Sequence, residues 1–81
     1  MKLRVRLFAR ARDLAGTDTL NVELPPGANV AELRRRIAAV TPALAPLLPR
    51  CAVAVNNDFA DEDRVVTESD EVAVLPPVSG G

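Results

Sequence analysis

The sequence has no histidine, tryptophan or tyrosine, only two phenylalanines, and a single cysteine in 81 residues. Without imidazole, most general-base schemes and most zinc sites are excluded, and no metal site is expected. One thiol cannot close an internal disulfide, so a reducing cytoplasm is the expected compartment. Cys51 has no imidazole to activate it. It stands in the apolar run Cys51-Ala52-Val53-Ala54-Val55 and reads as a small core residue. The scarcity of aromatics and a net charge of -1 argue against nucleic acid as a partner. No apolar run reaches bilayer length and no signal-peptide pattern opens the chain, so no membrane association is expected.

What is present suits one small domain with one core: 48% hydrophobic and 26% charged residues. The charge is unevenly spread. Residues 1–50 hold nine bases and four acids, a local charge of +5, whereas residues 51–81 hold Arg64 against seven acids, a local charge of -6. Two faces of opposite sign can simply be solvated, or can steer a partner.

Residues Lys2 to Ala9 alternate, with Leu3, Val5, Leu7 and Ala9 on one face and Lys2, Arg4, Arg6 and Phe8 on the other, which predicts a half-buried strand. Arg10 to Ala15 reads as a short helical turn stopped by Gly16. Thr19 to Leu24 alternates again, pairs antiparallel with the first strand, and ends at Pro25-Pro26-Gly27. Asn29 followed by Glu32 marks a helix start, and Val30, Leu33, Ile37 and Val40 form one apolar stripe. Arg34, Arg35 and Arg36 are expected on the solvated side, and Pro42 stops the helix. Ala43 to Pro49 is expected to be a loop with one 3₁₀ turn. Ala52 to Val55 is a third strand, followed by the turn Asn56-Asn57-Asp58 and a brief pairing at Phe59 and Ala60. Asp61-Glu62-Asp63 reads as a solvated loop anchored by Val65 and Val66. After a turn at Ser69-Asp70, Glu71 to Leu75 is the last strand, with Val72 and Val74 inward and Ala73 and Leu75 outward.

This order predicts an α+β fold: a mixed sheet crossed by one main helix, with the first and last strands parallel and central. That is the ubiquitin-like β-grasp arrangement, here over residues 1–75. It leaves one sheet face uncovered, shared by Phe8, Ala73 and Leu75. Residues 76–81 form an extended tail. Pro76 and Pro77 lack an N–H and end the ladder. Val78 and Ser79 extend the reach, and Gly80-Gly81, having no side chains, can thread a channel too narrow for a Cβ.

Phe8-Ala9-x-x-Arg12-x-Leu14-x-Gly16, Val55-Asn56, Asp70-Glu71-Val72 and Pro76-Pro77-Val78-Ser79-Gly80-Gly81 resemble the small subunit of molybdopterin synthase along the whole chain. The resemblance implies a non-catalytic sulfur carrier that binds no cofactor itself. An activating enzyme uses ATP to adenylate Gly81, and a sulfur donor converts it to a thiocarboxylate. The tail of Val78, Ser79 and Gly80 then enters the large subunit of a heterotetramer. There it donates sulfur to a pterin precursor, cyclic pyranopterin monophosphate, to build the dithiolene of the molybdenum cofactor. Phe8, Leu75, Pro76 and Pro77 are the implied partner interface. Three other readings stay open: the sulfur carrier of thiamine biosynthesis, a ubiquitin-like modifier joined to lysines through Gly81, and an interaction module with an inert tail.

Overall fold

The computed structural model describes residues 1–77. Strand β1 (Lys2–Leu7) is followed by helix α1 (Ala9–Ala15), β2 (Thr19–Glu23), α2 (Val30–Val40), β3 (Ala52–Val55), β4 (Asp58–Phe59) and β5 (Val72–Leu75). The five strands form one sheet in the order β2-β1-β5-β3-β4. β1 and β5 are parallel, with Val5 opposite Val72 and Leu7 opposite Val74. β3 runs antiparallel to β5, with Val55 and Val53 opposite the same two valines. The first and last strands are therefore adjacent, and β5 is the middle strand, as the order of elements predicts.

Period-2 patterning explains which face is covered. Leu3, Val5 and Leu7, Val53 and Val55, and Val72 and Val74 all point inward and are buried. Val30, Leu33 and Ile37 of α2 close over them, joined by Ala11 and Val22. The fourth member of the predicted stripe, Val40, is half exposed. It falls in the last helical turn, where the buried position is taken by Leu44 of the following 3₁₀ turn, Pro42–Leu44. A second 3₁₀ turn, Leu48–Arg50, places Leu48 in the same core, so this loop holds two such turns rather than one. Val66 is buried, whereas the Val65 side chain is exposed and only its backbone holds the loop, through a bridge to Asn29.

The predicted inward position of Ala9 is also wrong. The backbone turns left-handed there, with φ 51°, and the strand stops at Leu7. Such a φ is costly for a residue with a Cβ. At Gly16, where φ is 74° and α1 ends, glycine removes that cost.

The first turn of α2 has its backbone donors satisfied from outside the helix. The N–H of Val30 donates to the Arg64 carbonyl at 2.9 Å and that of Ala31 to the Glu62 carbonyl at 3.1 Å. The N–H of Glu32 donates to Asn29 Oδ1 at 3.0 Å. Arg34 is not merely solvated, as the pattern predicts. Its Nε donates to Glu62 Oε2 at 2.9 Å and its Nη1 to the Leu48 carbonyl at 2.7 Å. It ties the helix to both flanking loops. Replacing the cap, Asn29→Ala, is expected to cost about 1 kcal/mol in urea unfolding, and a variant as stable as the native chain would contradict the capping role.

Candidate functional site: the uncovered sheet face and the exit of the last strand

The face opposite α2 has no covering layer among the described residues. Directly opposed residues share a face. Arg6 opposes Ala73, Ala73 opposes Ala54, and Ala54 opposes Phe59. With Thr19 of β2 opposite Arg6, one row thus crosses all five strands, with the arginine second in it and an aromatic at the far end. In the next row Leu75 opposes Ala52. Phe8 follows β1 in extended backbone beside Leu75's position, 37% exposed, as the alternation predicts. With Arg6, Ala54 and Ala73 it lines a depression of about 70 Å³. Leu75 and Pro76 are half-buried and Pro77 is exposed. Val78, Ser79, Gly80 and Gly81, the predicted tail, lie outside the described residues.

Phe59 is the residue that sequence reading missed as a surface anchor. It is 78% exposed, more than any other large hydrophobic of the described residues. The signal was available. Asn56 and Asn57 both take positive φ, 52° and 70°, which makes a two-residue hairpin turn. A two-residue turn fixes the register, and the register puts Phe59 opposite Ala54 on the open face.

The approach to β5 is pinned by one small network. Asn56 Nδ2 donates to Asp70 Oδ1 at 3.0 Å, and Asn56 Oδ1 accepts from the N–H of Glu71 at 2.9 Å. Asp70 Oδ2 accepts from the N–H of Thr67 at 2.8 Å, closing the turn before the strand. The Thr67 N–H, with the Asn56 amide second, lowers the Asp70 carboxyl below its ordinary value of 3.8. A lowered folded value means the carboxylate stabilises the fold above the unfolded pKa, and that stability is lost as pH falls through the folded one. Asp70→Ala is therefore expected to lower the melting temperature at neutral pH, with the gap from the native chain closing below about pH 3.8. A gap that does not change with pH would rule out this role.

Cys51 is buried, its thiol donating to the Leu47 carbonyl at 3.4 Å. Burial raises its pKa, with Arg34 partly opposing, so it is a core residue and not a nucleophile. Among the described residues no three of His, Cys, Asp or Glu are placed to hold a metal ion, and no helix is long and apolar enough to cross a membrane.

A five-stranded sheet with parallel β1 and β5, one helix across one face and an open apolar face beside the end of the middle strand defines a ubiquitin-like β-grasp domain. The chain belongs to the ThiS family, which residues 5–81 match, and groups within it with molybdopterin synthase sulfur carrier subunits. The molybdopterin synthase sulfur carrier subunit of Chlamydomonas reinhardtii is 35% identical over 83 aligned positions, covering 100% of both chains. Among solved structures, SAMP1 from Haloferax volcanii superposes with a TM-score of 0.89 at 27% identity, covering 100% of both chains. A chain of the complex of subunits 1 and 2 of the molybdopterin-converting factor from Helicobacter pylori superposes with a TM-score of 0.70 at 27% identity, again over 100% of both.

Proposed function

We propose that this chain is the sulfur carrier subunit of a molybdopterin synthase and that Gly81 carries the sulfur. The observation that supports this best is the end-to-end match to sulfur carrier subunits, with the family match reaching residue 81. The open face adds a physical motive. Phe8, Phe59 and Leu75 offer an apolar surface to a partner on the face where the chain leaves the sheet.

The chemistry follows from what a carboxylate lacks. It is a poor electrophile and its oxygens are poor nucleophiles toward carbon. An activating enzyme supplies ATP, the Gly81 carboxylate attacks the α-phosphorus, and pyrophosphate leaves. A donor then delivers sulfur at the sulfide level, which attacks the acyl carbon of the adenylate and expels AMP, forming the C–S bond as the C–O bond to AMP breaks. The resulting thiocarboxylate is ionised and soft, and it can attack the pterin precursor where oxygen cannot. Each dithiolene takes two sulfurs, so two loaded tails are consumed.

In this reading residues 1–75 are the docking body and residues 76–81 the delivery tail. The chain binds no cofactor and contributes no acid or base. The large subunit of a heterotetramer supplies those and the substrate pocket. We place the reaction in a reducing cytoplasm, where a lone thiol such as Cys51 stays free.

Intact mass spectrometry after incubation with the activating enzyme, ATP and a sulfur source tests the proposal. The expected product has one oxygen of Gly81 exchanged for sulfur. An unchanged mass under conditions that load a known carrier rules it out.

One observation favours a second reading: the superposition with SAMP1 and with the small archaeal modifier protein 1 of Methanosarcina acetivorans. In that reading Gly81 is joined to lysine amines on other proteins. Isopeptide-linked adducts carrying this chain in cell extracts would establish it.

A further inference from the structure

The open face carries charge along one side. β1 turns Lys2, Arg4 and Arg6 to solvent. None of the three forms a salt bridge among the described residues. Lys2 stands opposite Glu23, but Arg4 and Arg6 stand opposite the neutral Asn21 and Thr19. Arg4 and Arg6 also line a groove of about 420 Å³ with Asp70 and Glu71. Asp70 is already engaged by Thr67 and Asn56, and Glu71, which also lines the depression beside Phe8, forms no salt bridge with either arginine among the described residues. Arg6 is the arginine that adjoins the apolar row. Its neighbour in register is Ala73, and its guanidinium carbon lies 5.4 Å from the centre of the Phe8 ring.

We propose that Arg6, backed by Arg4, determines which partner can dock, by pairing with a carboxylate that the partner presents beside Phe8. The partner surface over this face is then apolar at its centre and acidic on the side facing β1. The inference rests on the carrier reading above and deepens it by naming the chemistry of the second subunit's docking surface.

The physical argument has three parts. Stacking on Phe8 holds the planar guanidinium in place before contact, so less freedom is lost when its donors engage. Docking removes water from the patch, which strengthens an ion pair at its edge. A surface without an acid there leaves an unpaired arginine partly desolvated, which disfavours wrong partners.

The test is titration calorimetry of the intact chain against the large subunit from the same organism, at about 0.05 M and about 0.5 M salt. At low salt, Arg6→Glu is expected to weaken binding by about tenfold or more, and the deficit should shrink at high salt. Arg6→Leu, which keeps apolar area, should also bind more weakly and lose salt dependence. Phe8→Ala should weaken binding at both salts. Thermal melts should show both Arg6 variants folded, since the side chain is exposed. If Arg6→Glu stays within about twofold of the native chain at low salt while Phe8→Ala weakens binding, Arg6 has no selecting role and the carrier reading stands. If the native chain does not bind the large subunit at all, the carrier reading fails and takes this inference with it.

Discussion

Deleting Gly81 is expected to reduce sulfur transfer to background in a reconstituted synthase while leaving the melting curve unchanged. The two halves of this result have separate causes. Among the described residues every member of the buried core lies between Leu3 and Val74, and a glycine has no side chain to add to it. The variant still ends in glycine and still offers a carboxylate. What changes is reach: the acyl carbon stops one residue short, about 3.3–3.6 Å. Reactions that need atoms brought to near contact lose about a hundredfold for a displacement of about 1 Å, so a shift of this size removes productive geometry. Gly81→Ala should retain the length and lose rate through its added Cβ. A deletion variant that builds the product at the native rate would end the proposal, and it would favour a module whose tail is inert.

The second large effect is expected from the pair Phe8→Ala and Phe59→Ala. Exposed aromatic anchors that a partner buries on docking cost about 2 kcal/mol each when truncated. The pair should therefore raise the dissociation constant for the large subunit about a thousandfold. Phe59 is mostly exposed, so its truncation should barely move stability. Phe8 is partly covered, and its loss should be felt slightly. Binding that survives both substitutions would show that the partner docks elsewhere. Unfolding on Phe8→Ala alone would show that its ring belongs to the core.

The strands were legible because alternation is a short-range signal and one face of this sheet is buried. Leu3, Val5 and Leu7 announce β1 without any knowledge of their neighbours, and the same holds for Val72 and Val74. The helix start was legible because Asn29 and Glu32 act within one turn. What could not be read locally depended on distant groups. Arg34 looks like its neighbours Arg35 and Arg36 until the Glu62 carboxylate and the Leu48 carbonyl arrive from loops 28 and 14 residues away. Val40 keeps the helical period, but its core position is filled by Leu44 from the next turn. Ala9 continues the alternation, yet the backbone leaves the sheet there. Within the candidate site, Phe8 and Leu75 followed from the period alone. Phe59 required the hairpin register, which rests on two left-handed asparagines.

The position of β5 bears on how the molecule responds to a pull. A force applied through Pro76 and Pro77 runs along the axis of the strand that sits third of five, bonded on one side to β1 and on the other to β3. Peeling, one bond at a time, is open only to strands at the border. Extracting this one means shearing two ladders at once, so the segment under tension is the one held most firmly. Traction that draws the end of the chain into a tight channel would straighten the proline segment before it disturbed the sheet.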